Sequence, residues 1–296
     1  MDDNKILQDL INTLIEDKRS ERRYKLIGRI LFLSIVLLFI YFASISSSKL
    51  TTPHTAIIEI NGVIAAGGPV NVKKILPLIE NAVDNDLCNG VILKINSPGG
   101  SATQSKIIYD EIVKIRNTTS KKIISVIEDV GASGGYYIAA SSEEIFSSPS
   151  SIVGSIGVRI DSFNIQSLMS KLGIEPQILS SGKDKTILDP FTRLSDKHRK
   201  HLQILLQDIH TQFISDIEIS RKDKITTNVY TGLFWTGNEA LKIGLVDKIG
   251  SIYDANKEIF NDNPMVTYNR KENLLTDILN TSLFNSDYTN NISIRY

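Results

Sequence analysis

A serine stands among small residues in the segment Gly131-Ala132-Ser133-Gly134-Gly135, between an apolar run and two tyrosines. Such a serine is a candidate nucleophile, because small neighbours let a peptide backbone approach its hydroxyl. The structural alternative is a tight strand-to-helix turn without a chemical role. A second glycine turn, Pro98-Gly99-Gly100, also follows an apolar run. Two such turns supply the backbone N–H donors that an acyl-transfer reaction needs for its oxyanion, although a phosphate-binding loop has a similar composition.

A serine nucleophile needs a base, which the sequence offers as histidine or lysine. Three of the four histidines fall on one polar helical pattern, which is typical of solvated side chains, and a Ser-His-Asp triad has no support in the spacing. The histidines are His54, His198, His201 and His210. A lysine base must be neutral, which burial favours. Lys183 and Lys185 are the candidates: the residues after Lys185 turn apolar, whereas the neighbouring Asp184 favours a charged Lys183.

From about residue 55 onwards, strand patterns alternate with helical patterns, which indicates a largely parallel sheet in an α/β fold. Because the carboxyl ends of parallel strands lie at one edge of a sheet, the two glycine turns are expected to meet there. The predicted strands are 55–62, 88–97, 121–129, 156–160 and 175–180. The predicted helices are 70–85, a helix ending near 116, one that opens at Ser133, and 163–172 and 195–221. A turn, helix, strand edge and helix are predicted within 237–260.

The N-terminal part of the chain reads as a membrane anchor. Residues 26–46 are almost wholly apolar and long enough to cross the hydrocarbon core as a helix. Basic residues precede this stretch and nearly uncharged residues follow it, so the positive-inside rule places residues 1–25 in the cytoplasm and the chain beyond a linker at 47–54 outside. The long polar lead favours an uncleaved signal anchor over a cleaved signal peptide. An apolar stripe at helical spacing runs through residues 1–17.

Composition excludes several classes of protein. The 33 basic and 33 acidic residues give a net charge of zero, so no global charge argues for a nucleic-acid partner. The single cysteine, Cys88, excludes an intrachain disulfide and a multi-cysteine zinc site, and it reads as a small buried hydrophobe. No metal and no cofactor is predicted. After Phe260 the pattern fades into Asn, Ser and Thr, and residues 283–296 are expected to be poorly ordered.

Five stretches resemble, in the same order and at similar spacing, the signal peptide peptidase A (protease IV) family of bacterial membrane-anchored serine peptidases. They are NSPGG (96–100), GASGGYYIA (131–139), SSIVGSIGV (150–158), SGKDKTILDPF (181–191) and TGNEALKIGLVD (236–247). The resemblance implies a Clp-protease/crotonase-like fold of stacked ββα units, preceded by one transmembrane helix. It implies a peptidase domain at 55–260, followed by a partly disordered tail at 261–296.

The resemblance also implies roles for individual residues. Ser133 is expected to be the nucleophile and Lys185 the general base, with Ser155 orienting that lysine. The N–H groups of Gly100 and Gly134 are expected to form the oxyanion hole. The family further implies a homo-oligomeric ring or dome in which adjacent subunits supply the serine and the lysine.

Together with the anchor and its orientation, the resemblance implies a serine endopeptidase anchored in a bacterial plasma membrane, with its catalytic domain on the periplasmic side. Its expected substrates are signal peptides left in the membrane after protein export and other unfolded apolar peptides, so its partners include the lipid bilayer and copies of itself. Two alternatives stay open, a crotonase-type acyl-CoA enzyme on the same fold and a catalytically silent membrane scaffold. The cytosolic location of CoA argues against the first.

Overall fold

A computed structural model describes residues 18–19, 22–39, 52–221 and 223–268, and the chain divides into two units, residues 1–51 and 52–296. In the first unit, residues 22–39 are helical. No helix within these described ranges combines the length and the apolar character needed to span a membrane. Three predictions fall outside the described residues: the end of the span at 40–46, the apolar stripe at 1–17 and the poorly ordered end at 283–296.

Three long parallel strands form the centre of the second unit. They are β1 (His54–Asn61), β2 (Cys88–Ser97) and β3 (Lys122–Ala132). All three are rich in Ile and Val, whose branched side chains suit a buried sheet. The connections are α1 (Val72–Val83) and α2 (Ala102–Thr118), which begin at the side-chain caps of Asn71 and Ser101. This arrangement confirms the predicted alternation and the parallel sheet.

Shorter elements extend the sheet and cover it. They are α3 (Gly134–Ala139), β4 (Ile145–Ser147), β5 (Ile152–Gly154), α4 (Gln166–Lys171), α5 (Asp196–Arg221), β6 (Phe234–Thr236), α6 (Gly237–Lys242), β7 (Lys248–Ile249), α7 (Ile252–Phe260) and β8 (Met265–Thr267). The strand order is β6-β5-β3-β2-β1-β8, and β4 pairs with both β3 and β7. Among these described strands, β5 and β6 form an antiparallel pair and the other pairs are parallel.

Strand β3 divides the sheet near its end. Its middle, Ser125–Ile127, pairs with β4, whereas its last residues, Val130–Ala132, pair with β5. Gly131 also pairs with Ser97 at the end of β2. The two glycine turns that follow β2 and β3 therefore lie side by side, as predicted. Ser133 directly follows the end of β3, where the sheet divides.

Apolar side chains pack on both faces of the sheet, as the alternation along its strands requires. Ile58 belongs to the larger core, which includes residues of α1, α2, α3 and α5, whereas its neighbour Ile57 belongs to the core under α7. Under α7 the Phe260 ring lies so close to Gly90 that a Cβ there would stand 2.1 Å from the ring. Cys88 is buried, as predicted.

The two tyrosines after Ser133 are core residues, as the sequence indicates. Both Tyr136 and Tyr137 are fully buried. The Tyr136 hydroxyl donates to the Leu245 carbonyl at 2.8 Å, and the Tyr137 ring stacks on Phe213 with 4.3 Å between centroids. These contacts attach α3, and with it the turn at Ser133, to the C-terminal half of the domain.

Three predictions of secondary structure were wrong. The strand predicted at 156–160 lies earlier, at Ile152–Gly154, where it can pair with β3. The strand predicted at 175–180 is absent, and these residues are all exposed, so no neighbouring strand covers their apolar side chains. The sheet gains a strand beyond Phe260, because β8 pairs with β1 and Tyr268 stacks on the buried ring of His54.

Candidate active site

Ser133 lies between β3 and α3 in a backbone conformation that residues other than glycine rarely adopt, with φ 56° and ψ −121°. Strain of this kind costs on the order of 1–3 kcal/mol and is typical of functional sites. Its N–H donates to the Gly154 carbonyl at 2.7 Å, and its own carbonyl accepts the N–H of Tyr137 at 2.9 Å. Bonds to a strand and to a helix therefore hold the serine in place.

The Ser133 side chain is only 5% exposed, and its Oγ has no hydrogen-bond partner within the described ranges. A buried hydroxyl without a partner needs an explanation, since most buried polar atoms have one. Four other buried residues have a side-chain oxygen in the same condition, namely Thr55, Ser125, Ser147 and Asn256. Ser133 differs from them because it lines a cavity. This difference favours the interpretation as a nucleophile over that as a structural turn.

The two glycine turns contact each other through their backbones. A Cβ on Gly99 would lie 2.7 Å from the Gly134 nitrogen and 2.8 Å from the Ser133 Cβ. Gly100, with φ 151°, has its Cα against Ile64, where a Cβ would stand 2.1 Å from the carbonyl oxygen. A side chain at Gly99 would separate the two turns, and one at Gly100 would displace the backbone at Ile64. Glycine is therefore required here for close approach, as an oxyanion site made of backbone N–H groups demands.

The cavity at Ser133 has a volume of about 470 Å³. Its lining consists of Val63, Pro98, Gly99, Gly100, Ser133, Ser155, Gly157, Val158, Arg159, Thr231 and Gly232. Ser155 also has a positive φ, 54°, and its N–H donates to the Leu233 carbonyl at 2.7 Å. The structure thus brings the predicted residues Ser133, Ser155 and Gly100 to one cavity, and Gly134 directly follows the serine as the first residue of α3, where an N–H has no intrahelical partner.

The lysine predicted as general base does not lie at the Ser133 cavity. Lys185 is exposed on a turn, where its backbone N–H donates to the Gly182 carbonyl at 2.9 Å, and it does not line the described cavity. Lys183 is also exposed and absent from that lining. A single chain therefore brings together Ser133, Ser155 and the glycine turns, but it leaves Lys183 and Lys185 outside the lining of their cavity.

Asp184 attaches this turn to the beginning of α5. Both of its carboxylate oxygens accept hydrogen bonds from Lys197 at 2.8 Å, and His198 Nε2 lies 2.9 Å from Oδ1. The hydrogen bonds of Lys197 and then His198 lower the pKa of Asp184 to about 2. The Asp184 carboxylate is thus engaged by residues of α5, and its effect on the charge of Lys183 stays a prediction.

Among the described residues, no histidine lines the Ser133 cavity and none is hydrogen-bonded to Ser133 Oγ. His54 is buried, with Nδ1 3.0 Å from the Thr52 carbonyl and Nε2 2.9 Å from the Tyr268 hydroxyl. His210 Nε2 lies 3.2 Å from the Ile156 carbonyl, and His198 pairs with Asp184. Within the described residues, the structure therefore gives no histidine that could serve Ser133 as a base in one chain.

Several lining residues were missed by the sequence analysis. Thr231 and Gly232 come from a segment without a motif, which reaches the cavity because Gly157 packs on Gly232, with a Cβ on Gly157 standing 3.1 Å from the Gly232 Cα. Arg159 directly follows the stretch SSIVGSIGV, and only this adjacency could have indicated that Arg159 lines the cavity. The sequence contains no signal for a contact between segments about 75 residues apart.

Comparison with known proteins gives a family for the chain. The model of peptidase family S49 matches residues 115–263. Over 213 residues the chain is 35% identical to a protein of Brucella melitensis biotype 1 named Na(+)/H(+) antiporter NhaA, a match that covers 70% of this chain and 29% of that protein. Over 208 residues it is 31% identical to an Enterococcus faecium protein provisionally named signal peptide peptidase SppA, covering 67% of this chain and 60% of that protein.

A third relative, a protein of Synechocystis sp. provisionally named a protease, is 33% identical over 208 residues, which cover 69% of this chain and 73% of that protein. The chain thus spans less than a third of the Brucella protein, more than half of the Enterococcus protein and most of the Synechocystis protein. The matches confirm the family resemblance that the five motifs indicate. The chain belongs to peptidase family S49.

Proposed function

We propose that the protein is a serine endopeptidase in which Ser133 is the nucleophile and Lys185 the general base. The observation that carries the proposal is the strained, buried Ser133, whose hydroxyl lies unpaired within the described structure at the wall of a cavity. Membership of family S49 agrees with it. The mixed α/β architecture around a central sheet also supports a Clp-protease/crotonase-like fold for the domain.

In the proposed reaction, Ser133 Oγ attacks the carbonyl carbon of the peptide bond while its proton passes to the neutral amine of Lys185. The N–H groups of Gly100 and Gly134 stabilise the oxyanion that forms. The protonated lysine then gives its proton to the leaving amine, and an ester between Ser133 and the substrate remains. Water, deprotonated by the same lysine, attacks this ester, the bond to Ser133 Oγ breaks, and the lysine returns the proton to Oγ, so that the acid product and the free serine are released. Ser155 orients the lysine, the third role of a triad.

We also propose that Lys185 reaches Ser133 from a neighbouring copy of the chain in a homo-oligomeric ring or dome. In one chain Lys185 is exposed outside the cavity, so a second copy is needed to complete the site. The segment that carries it exposes large apolar side chains, which mark interaction surfaces. Phe163 is 83% exposed, Leu172 65% and Leu179 100%.

The proposed substrates are signal peptides left in the membrane after export and other unfolded apolar peptides. Val63, Pro98 and Val158 give the cavity apolar walls, which suit such peptides. The apolar stretch at 26–46, with basic residues before it, supports a single membrane anchor and a domain outside the cytoplasm. A reporter that works only outside the cytoplasm should be active when fused after residue 60, and activity of a cytoplasmic reporter there would contradict the orientation.

Labelling with a serine-reactive phosphonate tests the enzyme class directly. We expect one label per chain, lost in Ser133→Ala and kept in Ser170→Ala, a matched change on the exposed helix α4. The same preparation should cleave a fluorogenic apolar peptide in detergent. Absence of label and of cleavage would favour the silent scaffold. Hydrolysis of acyl-CoA thioesters in preference to peptides would favour the crotonase-type alternative.

A further inference from the structure

We propose that Arg159 makes the Ser133 cavity selective for peptides that carry a carboxylate close to the bond to be cut. The inference rests on the proposed peptidase function and specifies its substrate class. It follows from the position of Arg159, from the chemistry of the cavity walls and from the weak pairing of this arginine with its present partner.

Arg159 is the only charged residue among the described residues that line the cavity. The other lining residues are glycines, apolar side chains and three hydroxyl side chains, so no lining carboxylate competes for the guanidinium. The planar guanidinium presents paired N–H donors that match the two oxygens of a carboxylate.

The backbone that carries Arg159 is held close to Ser133. Two residues earlier, Gly157 packs on Gly232, and the Ser155 N–H donates to the Leu233 carbonyl at 2.7 Å. Both contacts lie in the wall of the same cavity as the nucleophile. The arginine therefore has an exposed side chain on a backbone held by these contacts, an arrangement that lets its guanidinium meet a bound peptide without moving the loop.

The present partner of Arg159 is easily exchanged. Its Nη2 lies 3.2 Å from Oδ2 of Asp161, and the two side chains are 72% and 58% exposed. Ion pairs between exposed side chains contribute little stability, because water and salt compete with them. A substrate carboxylate inside the cavity can thus replace Asp161 at small cost, and Asp161 keeps the guanidinium oriented until then.

The carboxylate of such a peptide has two sources, an Asp or Glu side chain and the free C-terminus that an earlier cleavage leaves. Both offer the same two oxygens to Arg159. The net charge of the chain is zero, so no general attraction for acidic peptides is expected. A measured preference for a carboxylate therefore reports on the cavity itself.

The test uses two matched sets of fluorogenic apolar peptides. In one set Glu replaces Gln at successive positions around the cleaved bond, and in the other a free C-terminal acid replaces the amide. For one of the sets we expect a kcat/KM about tenfold higher for the carboxylate member, which a charge-assisted hydrogen bond supplies. The set that shows the ratio identifies the source of the carboxylate.

Variants locate the preference. Arg159→Gln should bring the ratio of acidic to neutral peptide close to one, and Arg159→Lys should keep part of it. Asp161→Asn should raise the ratio, because it removes the competing carboxylate. Lys257→Gln, which removes one positive charge from α7, should keep the ratio of the unchanged protein. Equal kcat/KM for both members of every pair, or an Arg159→Gln variant with the full ratio, would overturn the proposal.

Binding of the same peptides to Ser133→Ala, followed by fluorescence anisotropy, separates this proposal from the peptidase function. Tighter binding of the carboxylate member without any hydrolysis by the unchanged protein would refute the peptidase and keep Arg159 as a carboxylate site. Hydrolysis of peptides without a carboxylate preference in rate or binding would refute the role of Arg159 alone. Neither hydrolysis nor preferential binding would refute both.

Discussion

The two residues of the proposed dyad, Ser133 and Lys185, lie in regions that differ in how deeply they are buried. Around Ser133 the chain is enclosed: every residue of α3 is buried, and the serine bonds to β5 through its backbone. Lys185 lies in a stretch, 157–212, in which no described residue is buried. The core of one chain thus determines the geometry of the proposed nucleophile, whereas the proposed base lies on an exposed turn outside the core.

The largest effect should come from removing either half of the dyad. Ser133→Ala and Lys185→Ala should each lower kcat/KM for an apolar peptide by at least about 10³-fold, and the double variant should lose no more, because the pair acts as a unit. Lys183→Ala is the matched control on the same turn and should keep most activity. Near-normal turnover by Lys185→Ala, or none by Lys183→Ala, would contradict the choice of base. Circular dichroism and sedimentation establish that each variant is folded and assembled.

Mixing the two inactive variants tests where the base comes from. If adjacent subunits supply serine and lysine, equal amounts of Ser133→Ala and Lys185→Ala chains should form sites with both intact residues at about a quarter of positions, as random assembly of a symmetric ring requires. The measurement is peptidase activity after subunits have exchanged, with exchange followed by fluorescent labels. Complete exchange without any recovered activity would place both residues of each site in one chain.

The same comparison explains what the sequence could predict. Strands β1 to β3, the two glycine turns and the long helix α5 follow from local patterns, since apolar periodicity and glycine report on burial and on turns. The side-by-side position of Ser133 and Gly99 follows from these patterns, because parallel strands end at the same edge of a sheet. In this enclosed region local propensity and packing favour the same structure, and the predicted strands and the neighbouring glycine turns are confirmed.

Elsewhere the local pattern was insufficient. The apolar residues at 175–180 suggest a strand, yet a strand needs a partner, and none of the described residues pairs with them. The short strand β8 was missed because its three residues form a strand only by pairing with β1. The cavity wall at Gly157 and Gly232 was missed for the same reason, since it depends on a contact between segments that are distant in sequence. The roles of Lys185 and Ser155 come from a family resemblance and stay predictions.

The stability of the enclosed region should depend on a buried ion pair between Arg221 and Asp247, the last residue of the motif TGNEALKIGLVD. Arg221, whose side chain is 1% exposed, donates to Asp247 at 2.7 Å and also to the Gly244 carbonyl at 2.8 Å. Burial is the largest single influence on the pKa of Asp247 and raises it, but the hydrogen bonds and charge of Arg221, with further hydrogen bonds from Lys224 and the Ile145 N–H, together outweigh burial and lower the pKa of this carboxyl. We expect Asp247→Asn to lower the free energy of unfolding by about 3–5 kcal/mol, since it leaves a buried guanidinium without its counter-charge.

Lys224 provides the control for this prediction. It contacts the same carboxylate, but its side chain is 45% exposed. Lys224→Ala should therefore cost less than about 1 kcal/mol in the same urea titration. Equal losses for the two variants would mean that burial of the pair is not what stabilises this part of the core.

The smallest effect is expected at Asp184, which attaches the exposed turn of Lys185 to α5. Because its pKa is lowered from 3.8 to about 2, its contribution to order in the turn is present above pH 4 and is lost as the pH falls from about 4 through 2. Asp184→Asn should remove the attachment at neutral pH. We expect faster amide exchange within 181–191 and a fall in kcat of about two- to fivefold, since the proposed base is held less well.

Lys197→Gln removes the same contact from the side of α5 and should give the same changes, whereas Lys242→Gln, on α6, should give none. At acid pH the unchanged protein should approach the exchange rates of Asp184→Asn in this segment. Unaltered amide exchange within 181–191 in both Asp184→Asn and Lys197→Gln would show that the turn is held by other contacts. Slower turnover without faster exchange would instead assign to Asp184 an effect on the charge of the site, and not on the position of the turn.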